Sequence, residues 1–462
     1  MNDKRLVALF WWLWAFMGLV SLNAQAQEMP TPPAVAAAVA APAPLSQPGL
    51  VRADSLSGAD TGWMMTATAL VLLMTLPGIA LFYGGMVRRK SVLNVMACVV
   101  ALCAIVSLLW FAVGYSLAFT PGSGALGAVL GGGGRLWFSG LNYVQEAQLV
   151  AVSHLAPHIP ESVYAMFQLT FAIITACLVV GAFVERMRFS ATLLFMALWT
   201  VAVYVPVAHW VWEPGGWLAR LGALDFAGGS VVHINAGVAG LVCAYALGPR
   251  KGYGTEPFSP FNLGLTMAGA GLLWVGWFGF NAGSAVAADG RAGLAMAVTH
   301  IAASAGALSW MAAEWLARGR PSLLGLCSGL VAGLVAITPG AGYVTPGAAL
   351  VFGLVAGVAC YWGATGLKRL LKADDSLDVF GVHGVGGIVG SLLTGVFASK
   401  SISGVEGSVL TQALGAGSVM LYSLVMTALL LWVTSRFVSL RVGEAAEIDG
   451  LDIDQHAERL GT

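Results

Sequence analysis

The sequence contains few charged residues and no surplus of either sign. Only 10% of its 462 residues are Asp, Glu, Lys or Arg, and 22 basic residues balance 22 acidic ones. A balanced chain presents no basic field to nucleic acid, so we expect no nucleic-acid partner. Hydrophobic residues make up 58% of the chain and the mean hydropathy is +0.82, outside the range of soluble domains. The composition excludes a water-soluble enzyme and indicates that lipid surrounds most of the chain.

The six cysteines lack the spacing of metal ligands. No CxxC pair occurs, and all six lie inside or beside apolar stretches. This pattern argues against a disulfide framework or a zinc site. We interpret the cysteines as small core residues and expect neither a metal nor a cofactor.

The first 26 residues have the pattern of a cleavable signal peptide. Two basic residues precede an apolar run from Leu6 to Val20, and Ala24-Gln25-Ala26 has the small-x-small pattern of a signal-peptidase site. Residues 27–60 are expected to form an Ala/Pro-rich periplasmic linker. The alternative is an uncleaved signal anchor, and in both cases the mature N-terminus is periplasmic.

After residue 60, long apolar segments alternate with short charged connections. A hydrocarbon core of roughly 30 Å needs about 20 helical residues. The charge-free windows are residues 61–87, 91–120, 162–184, 189–212, 226–249, 257–288, 292–313, 321–367, 379–399 and 407–435. The window 321–367 is too long for one helix, and Thr338-Pro339-Gly340 divides it. The sequence therefore predicts eleven transmembrane helices.

The basic residues predict the orientation of these helices. Fifteen Lys and Arg residues lie after odd-numbered spans or in the C-terminal tail, and four lie after even-numbered spans. By the positive-inside rule, the N-terminus is periplasmic and the C-terminus cytoplasmic in a bacterial inner membrane. Residues 61–440 then form the transmembrane domain, and residues 441–462 form a cytoplasmic regulatory tail.

Eleven spans divide into five, five and one, so the second group of five enters the membrane in inverted orientation. Transporters built from inverted repeats place their pathway between the halves. Asp225 precedes His233 in the fifth span, and Asp378 precedes His383 in the tenth. The predicted fold class is an all-α polytopic membrane protein with eleven transmembrane helices, arranged as a 5+5 inverted repeat plus a final helix.

Histidines inside the spans are candidates for a transport pathway, because ionisable groups are rare in membranes. His233 and His383 occupy corresponding helices and are the candidate pore residues. His209 is better explained by an interfacial aromatic belt, and His300 by a buried imidazole. Along straight helices His233 lies about 12 Å from the outer surface and His383 about 7 Å from the inner one. If Asp225 and Asp378 are themselves buried as helix caps within the bundle, both rings move toward the midplane and can touch.

Aromatic residues gather near the outer ends of spans three, four and six. Rings and a hydroxyl can hold a small cation, with roughly 0.5 to 2 kcal/mol from each ring. Interface anchoring is the alternative explanation. Contacts between a cation and a few aromatic rings do not offset the tens of kcal/mol needed to strip water from an ion. A solute that binds as a cation and crosses as a neutral amine fits the pattern, since paired imidazoles can accept, donate and relay a proton.

Several segments together closely resemble the ammonium transporter (Amt) family, relatives of the Mep and Rh proteins. They begin at Pro77 (PGIALFYGGM), Asp225 (DFAGG, followed by His233), Gly276 (GWFGFNAGS) and Asp378 (DVFGVHG). The resemblance extends from about residue 60 over almost the whole chain. It includes the tail from Arg441 to His456, which is similar to the regulatory C-terminus of bacterial members.

The resemblance implies a homotrimer with one pore in each subunit. In family terms, the outer ammonium-recruiting site comprises Phe167, Phe171, Trp212 and Ser284. The family's phenyl gate corresponds to Phe171 and Phe280, and its twin-histidine pore corresponds to His233 and His383. The family also has a buried aspartate that supports the site and proton handling, and this residue corresponds to Asp225. The implied partners are ammonium or ammonia, with methylammonium as an analogue, and a PII-type signalling protein at the cytoplasmic face.

The expected function is therefore recruitment of NH4+, its deprotonation and conduction of NH3, with or without a separate route for the proton. The alternative is an ammonium sensor that signals through a cytoplasmic partner. A sensor would usually carry an appended signalling domain, whereas about twenty-five residues follow the last predicted span. A CO2 channel of the Rh type is disfavoured by Trp212 and Ser284, which resemble a cation-recruiting vestibule.

Overall fold

The computed structural model describes residues 45–461. The predicted signal peptide, residues 1–26, and the first part of the predicted linker lie outside the described residues. The rest of the chain is mainly helical, with one small sheet.

Ten helices within residues 45–461 are long and apolar enough to cross a membrane. They are α1 (Gly58–Met86), α2 (Arg89–Phe119), α3 (Glu161–Val180), α4 (Phe189–Arg220), α5 (Gly229–Leu247), α6 (Leu263–Gly283), α7 (Gly290–Arg318), α9 (Pro346–Leu371), α10 (Phe380–Phe397) and α11 (Val409–Ser435). A shorter apolar helix, α8 (Leu323–Ile337), lies between α7 and α9. It ends just before the predicted break at Thr338-Pro339-Gly340.

A polar side chain caps the N-terminus of six of the eleven helices named above. Each of these side chains accepts a backbone N–H from the first turn, which satisfies a donor that has no partner within the helix. These capping residues are Ser57, Asn262, Asp289, Ser322, Thr345 and Ser408. Helix starts are therefore fixed locally by the sequence, whereas lateral packing depends on the shape of the helix surfaces.

A three-stranded antiparallel sheet covers one end of the helix bundle. Its strands are β1 (Gly49–Arg52), β2 (Tyr143–Val144) and β3 (Leu149–Val152), in the order β1-β3-β2. Strand β1 lies in the stretch that the sequence predicts to be a linker, where Gly49 pairs with Val152. We call the end with this sheet the outer face, and the opposite end of α3, where the C-terminal tail lies, the inner face.

Close packing depends on glycine where two helices meet through their backbones. A Cβ atom on Gly237 of α5 would lie 2.4 Å from the backbone nitrogen of Gly384 in α10. Similarly, a Cβ atom on Gly333 of α8 would lie 2.1 Å from the carbonyl oxygen of Ala302 in α7. Neither crossing leaves room for a larger side chain. The cysteines fit the same packing, since five are buried, Cys103 is partly buried and all six are free.

A buried ion-pair network joins the inner ends of several helices. Arg250 donates to the Asp374 carboxylate, with Nε 2.9 Å from Oδ2, and also to Glu185, which pairs with Arg88 at 3.0 Å. Burial opposes ionisation of Glu185, but the guanidinium groups of Arg250 and Arg88 lower its pKa below the ordinary value. Burial likewise opposes ionisation of Asp374, whose pKa is lowered by its hydrogen bonds and ion pair with Arg250. Both carboxylates therefore remain charged at neutral pH.

The C-terminal tail packs against this inner face. It contains two short helices, α12 (Glu444–Asp449) and α13 (Leu451–His456). Arg441 donates to the carbonyl of Leu247 at 2.7 Å and pairs with Glu447 at 2.8 Å. Asp452 accepts the backbone N–H of Asn94 at 2.8 Å. The tail thus contacts α5 and α2 directly.

Gly237→Val should destabilise the protein, because its side chain would overlap the α10 backbone. Overpacking of this kind costs about 1–3 kcal/mol. The measurement is the melting temperature of purified protein in detergent. Gly271→Val is the matched control, since nothing lies within 4 Å of a Cβ atom at Gly271 in α6. Equal melting temperatures for the two variants would contradict the close crossing.

Candidate functional site

The helices α5 and α10 start in the interior of the bundle and run past each other in opposite directions, with Gly229 beside Gly387 and Gly240 beside Val379. Each starts with a wide π-helical turn that contains a histidine: Gly229–Ile234 holds His233, and Phe380–Gly384 holds His383. Wide turns of this kind occur often at functional sites. The crossing at Gly237 and Gly384 brings the two turns together.

The two histidine side chains stack on each other. Their ring centroids are 5.3 Å apart and the ring planes differ by 15°. Both residues are buried, His233 at 1% exposure and His383 at 4%. Among the described residues, both ring nitrogens of His233 and the Nδ1 atom of His383 lack a hydrogen-bond partner. Buried polar atoms are usually satisfied, so this arrangement needs an explanation in terms of function.

Asp225 is buried and caps the start of α5. Its Oδ1 atom accepts the backbone N–H groups of Gly228 and Gly229 at 2.8 and 2.6 Å. Its Oδ2 atom accepts those of Ser230 and Val231 at 2.8 and 3.1 Å. The turn requires glycine at Gly228, whose φ is 109°. Asp225 therefore fixes where α5, and with it His233, begins.

The corresponding cap on α10 is Asp375 rather than Asp378. The Oδ2 atom of Asp375 accepts the backbone N–H of Phe380 at 2.8 Å. Asp378 is half-buried and pairs with Lys368 at 2.8 Å. The burial that would bring the histidines together is thus found for Asp225 but not for Asp378. Burial raises the pKa of Asp375 to about 6, although the Lys368 ammonium lowers it.

Two phenyl rings lie between the outer face and the histidines. Phe171 of α3 and Phe280 of α6 stack with their centroids 4.2 Å apart and their planes 15° from parallel. Phe280 also lies 6.1 Å from the His233 ring. The side chain of Trp277 stacks on His233 at 5.4 Å and donates to Thr338 at 2.9 Å. The rings thus form a continuous column from Phe171 to the histidine pair.

An outer cavity of about 170 Å³ lies next to the Phe171 ring. Its lining residues are Leu155, Tyr164, Gln168, Phe171, Trp212, Phe226, Ser284 and Val286. The indole of Trp212 meets Phe171 edge-on at 5.7 Å and donates its N–H to the Asp225 carbonyl at 2.9 Å. Within residues 45–461, no group of three or more His, Cys, Asp or Glu could hold a metal ion.

The cavity contains three of the four residues that the family resemblance assigns to it. Phe167 is buried and does not line the cavity, but supports Phe171 from the side with ring centroids 5.0 Å apart. The family resemblance did not assign Tyr164 and Gln168 to this site. Both lie on the face of α3 that carries Phe171, at helical spacings of seven and three residues, and this periodicity could have identified them.

The other two intramembrane histidines do not have the surroundings that the sequence suggests. His209 is fully buried, and its ring nitrogens lie 3.0 Å from the carbonyl oxygens of Ala118 and Gly127, so it is not part of an interfacial belt. His300 is exposed on α7 and stacks on Trp274 at 5.0 Å, so it is not a buried imidazole. Neither residue contacts the histidine pair, because His209 packs against Ala118 and Gly127 and His300 lies on the exposed side of α7.

Comparison with known families agrees with this geometry. The model of the Ammonium Transporter Family matches residues 62–460. The chain belongs to the Ammonium Transporter Family. A curated relative, the ammonium transporter of Bacillus subtilis, is 45% identical over 409 residues, covering 87% of this chain and 98% of the relative.

Solved structures of family members share the fold. Mep2 of Candida albicans superposes with a TM-score of 0.78 at 35% identity, covering 85% of this chain and 88% of that one. A protein named Sensor Amt Protein gives a TM-score of 0.78 at 28% identity, covering 86% and 98% of the two chains. This chain is therefore a helical membrane protein of the ammonium transporter type.

Asp225→Asn should lower both thermal stability and transport. An amide offers one acceptor where four backbone N–H groups converge, and each unsatisfied buried donor costs about 1–3 kcal/mol. The measurements are the melting temperature in detergent and methylammonium uptake in proteoliposomes. Asp289→Asn is the control, because Asp289 accepts one N–H at the exposed start of α7 and Asn caps equally well. A wild-type melting temperature for Asp225→Asn would contradict the capping role.

Proposed function

We propose that this protein transports ammonium by recruiting NH4+ at the outer cavity, removing its proton and conducting NH3 past the two histidines. The observation that carries the proposal is the contact between His233 and His383, whose rings are stacked at 5.3 Å. They lie beyond a ring stack and an aromatic cavity, in the order that such a path requires. Substrate binding, proton release and conduction would thus take place at successive depths.

The outer cavity suits a small cation. Phe171 and Trp212 present aromatic rings, and the Ser284 hydroxyl and Gln168 amide add oxygen atoms. Ring quadrupoles attract ammonium with about 0.5–2 kcal/mol each. The Oε1 atom of Gln168 has no protein partner among the described residues and is available to accept an N–H from the substrate. Phe167 would act by holding Phe171 in place.

The buried column beyond the cavity favours a neutral species. Moving an ion out of water into such surroundings costs on the order of tens of kcal/mol before compensation. The column between Phe171, Phe280 and the histidines contains no carboxylate that could balance a cation among its described contacts. Removal of the proton before this point avoids the cost. Asp225 would support this step by fixing the geometry of the cavity wall and of α5.

The histidine pair can form hydrogen bonds with ammonia, which would otherwise have no partner in the apolar path. A neutral imidazole donates through one nitrogen and accepts through the other. The unpartnered nitrogens of His233 and His383 can therefore bind ammonia or relay a proton. Both neutral transport and transport with separate proton transfer remain compatible with this geometry.

The arrangement in the cell follows from the sequence patterns. We place the protein in the inner membrane as eleven spans, counting α8, with a periplasmic mature N-terminus and a cytoplasmic C-terminus. The opposite directions of α5 and α10 support a 5+5 inverted repeat. We also propose a cleaved signal peptide at residues 1–26, a homotrimer, and regulation by a PII-type protein at the inner face.

His383→Ala should abolish ammonium transport, because the conducted molecule loses one of its two imidazole partners. The measurement is the current evoked by ammonium pulses in proteoliposomes on a solid-supported membrane, with methylammonium uptake as the assay for neutral passage. His300→Ala is the control, since His300 lies on the exposed side of α7. Unchanged transport by His383→Ala, with protein assembled as in the wild type, would refute the histidine path.

An ammonium sensor is the second candidate, and the likeness to Sensor Amt Protein supports it. A sensor would bind ammonium at the outer cavity and change the tail without sustained flux. The same pulses distinguish the two functions: a transporter gives a current or uptake that continues with turnover, whereas a sensor gives at most one binding transient.

Deleting residues 441–462 should uncouple inhibition by a PII-type protein, because the tail supplies surface at the inner face. The test is methylammonium uptake with and without a purified PII-type protein from the same organism. The point variant Glu447→Ala removes the Arg441 pair and the acceptor for the Lys251 N–H at 2.7 Å, and it should loosen the tail without removing it. Inhibition that persists in the deletion would show that docking does not need the tail.

A further inference from the structure

A buried histidine–carboxylate pair lies beside the outer cavity and is not part of the site described above. Glu213 follows Trp212, at the point where the long part of α4 ends, and His154 lies in the turn after β3. The Nε2 atom of His154 is 3.1 Å from Oε2 and 3.3 Å from Oε1 of Glu213. Their side chains are 5% and 3% exposed. The pair is therefore a built contact and not a chance meeting of surface side chains.

The pair connects two walls of the cavity. Leu155, next to His154, and Trp212, next to Glu213, both line it. Each member of the pair is thus one peptide unit away from a side chain that lines the cavity. The pair also places a carboxylate close to a cavity suited to a cation.

The charge of the pair depends on one proton. Among the described residues, His154 supplies all the hydrogen bonds to the Glu213 carboxylate, and the Nδ1 atom of His154 is buried without a partner. With a neutral imidazole the pair carries one negative charge, and with an imidazolium it carries none. An unperturbed imidazole side chain changes its charge between about pH 5 and 8.

Most of the other charged and titratable groups near the pair have a partner, and the exception is the Arg220 guanidinium. The hydroxyl of Tyr164 in α3 accepts the Gln168 amide at 3.3 Å. The two ring nitrogens of His209 in α4 each lie 3.0 Å from a carbonyl oxygen, and a neutral ring donates to one of them. The Arg220 guanidinium approaches Glu213 from across Gly215 without forming an ion pair within 4 Å. The remaining groups on neighbouring outer segments are paired as Arg135 with Glu161 and His158 with Asp60. The proton on His154 changes the charge of the His154–Glu213 pair, and His158 and His209 are the other histidines on this side of the bundle.

We propose that His154 and Glu213 are positioning residues that make ammonium recruitment depend on external pH. This inference rests on the proposed transport function. At higher external pH the pair carries a negative charge beside the cavity and favours NH4+ binding. As the pH falls, the imidazole takes up a proton, the charge disappears and recruitment weakens.

The test is the dependence of ammonium-evoked current on ammonium concentration, measured in proteoliposomes at about pH 7.5 and 5.5 outside with a fixed internal pH. Ammonium stays almost wholly protonated over this range, so its concentration does not change. We expect the half-saturating concentration of the wild type to rise about two- to tenfold at the lower pH, as loss of one nearby charge predicts. The maximal current should change less than the half-saturating concentration.

Two variants and one control separate this role from a structural one. Glu213→Gln should give a high half-saturating concentration that no longer depends on pH. His154→Gln keeps a donor for the Glu213 carboxylate but does not titrate. Its half-saturating ammonium concentration should therefore stay low at both external pH values. Glu146→Gln removes an exposed carboxylate between β2 and β3 and should behave as the wild type.

Each outcome bears on a specific claim. If Glu213→Gln and His154→Gln both keep the wild-type pH dependence, the pair has no such role. A change of the same size in Glu146→Gln would assign the effect to general surface charge and overturn the proposal. Should Glu213→Gln fail to fold, as judged by its melting temperature, His154→Gln decides the question alone. Absence of any sustained ammonium current in the wild type would instead refute the proposed transport function.

Discussion

The backbone contact between α5 and α10 determines where the candidate site can exist. Only glycine permits the approach at Gly237 and Gly384, because a Cβ atom at the first would lie 2.4 Å from the backbone of the second. His383 precedes one glycine directly and His233 lies one helical turn before the other. The stacking of the imidazoles is therefore a consequence of helix packing, and it needs no hydrogen bond between the two rings.

Charged groups within this bundle are stabilised by hydrogen bonds that also fix the backbone. Asp225 accepts four N–H groups and so both satisfies its own charge and starts α5. At the inner face, Glu185 and Asp374 are held by arginines that belong to other segments. A buried charge that loses such partners is costly. Electrostatic contacts therefore position the start of α5 and join the segments that follow α1, α3, α5 and α9 at the inner face.

Much of this architecture could be predicted from the sequence, because lipid imposes long apolar segments and charged residues interrupt them. The break at Pro339 and the position of Asp225 shortly before His233 were visible in this way. The cap at Asp375 was not, since two neighbouring aspartates differ only in which backbone N–H each one reaches. His209 and His300 were misinterpreted for a similar reason: hydropathy indicates depth, but not the direction in which a side chain points. Strand β1 was missed because an Ala/Pro-rich composition conceals a four-residue strand whose partner lies about a hundred residues away.

The parallel stack of Phe171 and Phe280 has a consequence for the rate of permeation. Rings with centroids 4.2 Å apart are in van der Waals contact, so no solute fits between them without a rotation of at least one side chain. Both residues are at most 1% exposed, and such a rotation must displace packed neighbours. Each molecule would then pass this column separately, at a rate set by the rotation of a phenyl side chain. A continuous column of water that carries dissolved ions would not form there.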